Sequence, residues 1–487
     1  MKSLMLLVAL SILILSCSEN NENNSTSCID EWEQTEVLSD YKSIYDFEIV
    51  KSESTWEWEK DQFVDSIYLD GPRMDWPNDL YVAKSGDIYL SGAFTDNTEE
   101  KLFRGFLNIY KKSGKLIRYS FEKDCFADAF QMVFDEKTGD LHLAVAIESN
   151  EVEPESEYRR RKTLIATLGS DEKWRFISWD FNGYNVCTDM VKKKDRFYLN
   201  CWYSEKINSV QHGSIQIIEK DKAYRKNQIT AYNRWSYSAY ERDGHIYFLS
   251  VTPGPPGQPH SIYELNQETL CVSGSEYKKI QNIEPTGIKS YGDILITVGV
   301  EESVNQNASG EHRWNMFFGH LILEDSSGEA TDLKFGSLEE PETGYTNPKP
   351  IIFLTDAFLK DGVVFASGQS RFDIEDRDRL WCEFPENEKT NYAWGSDPVL
   401  IAVNNEKEVF ARQLLTKIEG ETATHIYVDK ENVYIAGTFE ENYKERTIYV
   451  DADTNIFIHR VPKKWILNAD AKAKEPVHWV TEIKTEE

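Results

Sequence analysis

Positive charge is scarce in this sequence. Against 83 Asp and Glu stand 54 Lys and Arg, a formal net charge of −29 over 487 residues. A surface of that sign repels phosphate backbones, so no nucleic-acid partner is expected. Long apolar runs are scarce too. The longest, Leu4 to Leu15, falls short of the ~20 residues that span a bilayer as a helix. No segment holds an apolar period of 3.6 for three turns, so helices are not expected to build the core. No Gln-rich, Gly-Ser or Pro-rich tract marks a disordered half. Catalytic signatures are missing: there is no GxSxG elbow, P-loop or HExxH, and the nine His are scattered. After Cys17, the cysteines Cys28, Cys125, Cys187, Cys201, Cys271 and Cys382 form no CxxC pair or other zinc-like spacing. No cofactor is expected.

What is present begins at the amino terminus. "MKSLMLLVALSILILSC" has one Lys, a short apolar run and Ser16-Cys17, the layout of a secretory signal. Its ending "ILSC" resembles the bacterial lipobox, in which cleavage precedes a Cys that carries a thioether-linked diacylglycerol. The resemblance implies a signal peptide over residues 1–16, a lipidated Cys17 and an outer-membrane lipoprotein of the bacterial cell envelope, held to the membrane by that anchor. The polar "SENNENNSTS" that follows reads as a flexible tether, and residues 17–44 are assigned to anchor and tether. A Ser and an acidic residue directly after the Cys resemble the export signals of some surface-exposed lipoproteins; a periplasm-facing tether is the alternative. An oxidising compartment permits disulfides.

The rest of the chain repeats one phrase. "NDLYVAKSGDIYLSGAF" from Asn78 returns almost unchanged as "THIYVDKENVYIAGTF" from Thr424, and looser copies start at Phe130, Thr188, Tyr237, Thr286 and Thr355. Aligned on the residue opening the second strand, the seven copies stand at Asp87, Asp140, Arg196, His245, Asp293, Val363 and Asn432. Each phrase is a strand, a turn and a strand, and two further strand-like segments follow it, as "GFLNIYKKSGKLIRYSF" follows the first. In the last unit they fall in "KKWILNADAKAKEPVHWVTEI". Four-stranded units repeated at this length predict an all-β fold, a β-propeller over residues 45–487. In "IYLSGAF" and "VYIAGTF" apolar character does not alternate with charge, so both faces of that strand must be covered by neighbouring blades. Gly92, Gly368 and Gly437 share a template position with Val145, Cys201, Ser250 and Val298; a small residue there implies close backbone approach.

Units one, six and seven resemble the bacterial β-propeller repeat, whose pattern is close to "hhVD-x-GNhYhxGxF". The resemblance covers roughly residues 78–487 and transfers no activity. Seven blades are expected, with eight as the alternative, because residues 45–70 could supply a closing strand or part of another blade.

Ligand positions follow from this architecture. First strands line a propeller axis, and near their starts stand Asp79, Asp128, Asp189, Asp356 and His425. Converging carboxylates would favour a cation; the alternative is that each binds nearby backbone N–H groups. The loop from Ser370 to Pro398 exceeds the length usual without a function and carries Arg371, Arg377, Arg379, Trp381, Tyr392 and Trp394. Arg313 and Trp314 of the preceding unit would lie beside it, and flat aromatic faces plus forked donors suit an acidic glycan. "DADTN" offers Asp451, Asp453 and Asn455 as a weak calcium candidate, but Ile456 replaces the needed Gly. Cys187 and Cys201 are symmetric about Lys194 in the turn "KKKD", and facing Cα atoms in an antiparallel pair lie about 4.5 to 5.5 Å apart, within disulfide range. A one-residue slip would separate them.

Three functions stand open: a binding module for a glycan, peptide or partner protein; a polysaccharide lyase or glycoside hydrolase assembled from several blades; and a structural subunit of an envelope complex.

Overall fold

In every repeat the second strand is apolar on both faces, and a strand of that kind folds only between two other layers. The computed structural model provides them. It describes residues 28–38, 47–61, 63–69, 75–95, 103–122, 127–152, 159–205, 212–226, 235–251, 261–276, 283–306, 312–335, 352–370, 397–414, 421–440, 454–468 and 482–485. Seven four-stranded antiparallel blades form a ring, and the innermost strand of each packs against that of the next, blade 7 closing on blade 1. Those inner strands are Asp75–Val82, Ala127–Asp135, Tyr184–Lys193, Trp235–Arg242, Ile283–Tyr291, Ile352–Lys360 and Thr422–Val428. Between blades the core is fully dry: Leu90, Ala93, Leu143, Leu199, Leu249, Ala366 and Ile435 all sit at 0% exposure.

The ring closes at blade 7, where the N-terminal strand Asp65–Leu69 pairs antiparallel with Thr454–Pro462, Ile67 facing Ile458. Residues 45–70 thus supply the seventh blade's fourth strand. Nearby, Glu48–Thr55 adds a fifth strand to blade 1. This corrects the placement of the last outer strands in the C-terminal sequence. After Pro462 the chain makes one helical turn, Lys463–Ile466, and Glu482–Thr485 pairs instead with the outer strand of blade 5, Ala330–Phe335. The closing strand is fixed by side chains as well as by its ladder. Ser66 Oγ lies 2.8 Å from His459 Nδ1, and His459 Nε2 lies 3.1 Å from Glu421. Asp65 accepts from Arg460.

Within the residues assigned to anchor and tether, Cys28 to Leu38 pack into the propeller, and apolar Ile29, Trp32 and Val37 there break the polar composition that precedes them. Cys28 is disulfide-bonded to Cys271. Trp32 is buried, and its indole N–H donates to Leu270 O at 2.9 Å. The strand Glu33–Leu38 then pairs with the outer strands of both blade 3 and blade 2, fusing them into one nine-stranded sheet. Arg225, lying over the rings of Phe181 and Tyr203, donates to Glu33.

One irregularity recurs in all seven first strands, a β-bulge after Pro77, Ala129, Cys187, Ser236, Pro285, Leu354 and Ala423. The bulge presses a carbonyl of the first strand onto the second strand of the same blade. A Cβ on Gly92, Gly368 or Gly437 would lie 2.1, 1.8 or 2.0 Å from Trp76 O, Phe353 O or Thr422 O. That is the backbone approach behind the small residue. In blade 5 the register assigns the position to Gly299, opposite Pro285, rather than to Val298. In blade 3 it is held by Cys201, which faces Cys187 and is disulfide-bonded to it.

Candidate functional site

The bulges create the axial site. In blades 1, 3 and 6 the residue just after the bulge is Asp79, Asp189 and Asp356, and in blade 7 it is His425. Each Asp clasps two blades. Asp79 accepts from its neighbour Leu80 N at 2.8 Å and from Met132 N of blade 2 at 2.7 Å. Asp189 accepts from Met190 N and from Ala239 N of blade 4 at 2.6 Å. Asp356 accepts from Ala357 N and from Ile426 N of blade 7 at 3.1 Å. The residue at the bulge adds a parallel stitch: Asn78, Thr286 and Thr355 donate to Ala129 O, Leu354 O and Ala423 O of the following blade. Backbone N–H groups therefore hold these carboxylates, some across a blade junction.

Asp128 does not share that position. The irregularity in blade 2 takes in both Phe130 and Gln131, so Asp128 falls ahead of it and turns into the junction of blades 1 and 2. Asn78 Nδ2 donates to it at 2.6 Å. Burial pushes its carboxyl up to about 7.

The shaft contains its own cation, which sequence reasoning missed. Lys289 of blade 5 reaches Asp356, its ammonium 2.7 and 2.9 Å from the two carboxylate oxygens. A signal was available: three residues past the bulge, blades 1, 4, 6 and 7 carry Tyr81, Tyr240, Phe358 and Tyr427, whereas blade 5 has a Lys. Burial alone would lower Lys289, but Asp356 overrides it and holds the ammonium above its ordinary range. Its side chain still retains 39% exposure, so this charge reaches solvent from within the ring. Burial raises Asp79 to about 7, partly offset by the Met132 N–H and by Lys289, and raises Asp189 to about 6. Burial lowers His425, which stays neutral. Its Nε2 faces Pro77 O at 3.2 Å, and because a carbonyl only accepts, that nitrogen carries the proton. The site thus gathers carboxyls raised toward neutrality by burial around one lysine that reaches solvent.

An aromatic collar narrows one mouth of the shaft, on the face of the first-to-second-strand turns. Phe134, Tyr81, Tyr427, Phe358 and Tyr291 run from ring to ring across blades 2, 1, 7, 6 and 5, with centroids 4.8 to 5.4 Å apart. Beyond Tyr291 the collar gives way to an open cleft of about 580 Å³ between blades 4 and 5, lined by Tyr240, Arg242, Lys289, Tyr291 and Asp293. Ion pairs brace this turn face across blades: Lys84 with Glu136, Lys192 with Asp135, Lys193 with Glu241 and Lys463 with Asp361.

A second polar centre lies in blade 5. His320, 5% exposed, sits 2.9 Å from both Glu301 and Asp332. Burial opposes its protonation, but the two carboxylates prevail and raise it. Glu301 is held down at about 2 by His320, with help from Lys334 at 2.5 Å.

The remaining sequence candidates are not brought into this site. Arg371, Arg377, Arg379, Trp381, Tyr392 and Trp394 lie outside the described residues, as do Cys17, Asp451 and Asp453. Arg313 and Trp314 fall on the backbone of the strand His312–Glu324, and their side chains are likewise outside the description. Asn455 is buried in the third strand of blade 7, facing Phe439. Among the described residues no group of three His, Cys, Asp or Glu is placed to hold a metal ion.

No protein-family model and no curated relative matches this chain. Several solved structures are similar to it at low identity. The endosialidase of phage phi92 is 11% identical with a TM-score of 0.41, over 85% of this chain and 71% of that one. The polysaccharide lyase Uly1 is 9% identical with a TM-score of 0.43, over 79% of this chain and 89% of that one. A member of the DUF4221 family from Bacteroides vulgatus is 11% identical with a TM-score of 0.34, over 83% of this chain and 99% of that one. Similarity at this level carries no information on activity, and the propeller assignment rests on the strand pairing itself.

Proposed function

We propose that this propeller is an extracytoplasmic binding module, anchored to a bacterial outer membrane through lipid on Cys17, that holds an acidic glycan on the face of its second-to-third-strand loops. The observation that carries the address is the pair of disulfides, Cys28–Cys271 and Cys187–Cys201, which fit an oxidising compartment. The binding reading draws on the division of labour in the ring. The turn face is braced by inter-blade ion pairs, and the axial carboxylates serve as clasps between blades. That leaves recognition to the long loops, above all Ser370 to Pro398 with its Arg and Trp residues. A catalytic reading, polysaccharide lyase or glycoside hydrolase, needs an acid and a base converging on one pocket. The raised Asp79 and neutral His425 are its best representatives, although both already bond backbone groups. A scaffold role within an envelope complex would call for a broad apolar surface.

The test is an acidic-glycan array probed with the soluble form starting at Cys28, then repeated with Trp381→Ala and Trp394→Ala. Loss of binding at unchanged melting temperature supports the reading. A fall in melting temperature with binding intact reduces the aromatics to packing of the loop. Depolymerisation of a bound glycan would favour the enzyme.

A further inference from the structure

Where the chain enters the ring fixes which face can meet the membrane. Cys28 sits at the turn between the third and fourth strands of blade 4, Ser261–Leu265 and Val272–Glu276. Its amide donates to Thr269 O at 2.8 Å, and its sulfur is bonded to Cys271. That turn belongs to the turn face. Gln267 within it donates to Gly244 O, at the first-to-second-strand turn of the same blade. Arg196, at the opening of the second strand of blade 3, donates to Gln267 O. The chain is pinned there twice over, by the disulfide and by Trp32, whose indole bonds Leu270 O.

We infer that the turn face is the membrane-proximal face of the anchored protein, and that the face of the second-to-third-strand loops points away from the lipid. The inference rests on the proposed lipid anchor at Cys17 and deepens that reading. Ten residues, Ser18 to Ser27, separate Cys17 from Cys28, so the link spans no more than ~40 Å fully extended. As a flexible coil it averages about 18 Å. An inner strand of eight residues, such as Asp75–Val82, puts the two faces about 27 Å apart. For the loop face to touch lipid, the link would have to wrap the rim and run the thickness of the ring, well beyond its relaxed length of about 18 Å. The relaxed link instead keeps the turn face against the bilayer. The disulfide prevents residues 28–32 from peeling away and lengthening the link. The partner of the turn face is thus a lipid surface, met at short range without insertion. Among the described residues no helix is long and apolar enough to cross a membrane.

The experiment uses the full lipidated chain reconstituted into phosphatidylcholine vesicles that carry an acceptor dye in the headgroup region. A clickable unnatural residue replaces either Lys84 on the turn face, 83% exposed and spent on one surface ion pair, or Glu205, exposed just past the second strand of blade 3 on the loop face. Energy transfer to the bilayer should be roughly twofold or more higher from position 84 than from 205, as a separation of about 27 Å between faces implies. Equal or reversed transfer, with the protein bound to vesicles, overturns the orientation and leaves the anchor standing. Failure of the intact protein to bind vesicles, matched by the Cys17→Ala form, overturns the anchor and the orientation with it.

Discussion

Replacing Asp79 by Asn is expected to flatten the dependence of stability on pH between about 8 and 5, and the sign follows from the shaft. In the unfolded chain this carboxyl has its ordinary value of 3.8, whereas in the ring burial raises it to about 7. As pH falls through 7 the folded state takes up a proton that the unfolded state does not bind until near 3.8. Stability therefore rises on mild acidification, and above pH 7 the charged carboxylate is a standing cost. The full shift would amount to ~4 kcal/mol at 1.36 kcal/mol per pH unit. The value of about 7 already includes the opposing charge of Lys289, and because Asp79 is only partly shielded from solvent, screening reduces the expected change to about 1–2 kcal/mol over the range. Asn removes the titration. It also turns an NH₂ toward one of the two amides, Leu80 N or Met132 N, that the carboxylate served, which costs about 1 kcal/mol at every pH. The readout is accordingly the difference in slope, not the stability at one pH. Urea unfolding of both proteins at several pH values supplies it. Groups that do not face Asp79, such as Asp128 and His320, contribute equally to both proteins and cancel. Parallel slopes would show that Asp79 does not titrate in this range, and the account of a buried, proton-exchanging shaft would be wrong.

Gly437→Ala places a Cβ 2.0 Å from Thr422 O and should destabilise the ring by about 3 kcal/mol; a change within error in urea unfolding would mean that the bulge relaxes freely. Glu301 is held at about 2, so it contributes stability above its ordinary 4.5 that is lost as pH falls toward 2. In Glu301→Gln that acid-dependent loss should disappear, which thermal melts in the acid range can check. Removing residues 1–27 should leave the melting temperature unchanged, whereas removing residues 1–69 leaves blade 7 with three strands. Calorimetry should then lose the single cooperative transition, and an unaltered transition would refute closure by Asp65–Leu69. Cys17→Ala should release the protein from membranes into the soluble fraction, and continued membrane fractionation would exclude a lipid anchor.

The repeat phrase made the inner two strands of each blade legible, because one physical demand, a strand covered on both faces beside a bulged partner, recurs seven times. Gly92, Gly368 and Gly437 mark it in blades 1, 6 and 7. The outer strands follow no such demand. Glu33–Leu38 and Glu48–Thr55 contain no buried residue and Asp65–Leu69 only two, Ser66 and Ile67, so their sequences carry little pattern, and their partners lie far along the chain. The bond between Cys28 and Cys271 spans 243 residues and could not be read from spacing. Cys187 and Cys201, 14 apart, belong to one hairpin, which put that pair within reach of sequence argument. At the axis, Asp79, Asp189 and Asp356 were visible as a recurring residue type. Asp128 was grouped with them because a bulge of two residues leaves no trace in the sequence. Lys289 went unseen because it sits where most of the other units carry an aromatic ring.

The seam in blade 7 also sets a timetable. Ser66 and its partner His459 are 393 residues apart, and a chain made amino terminus first delivers the closing strand long before the blade that receives it. Blades 1 to 6 can each fold as they emerge, since their own four strands are contiguous. Asp65–Leu69 must wait with its backbone unpaired until Thr454–Pro462 arrives. Contacts of such long range are slow to form, and an idle strand edge is open to wrong partners. A late step of folding is therefore a search by one five-residue strand for one edge, and the chain stays vulnerable until that search ends.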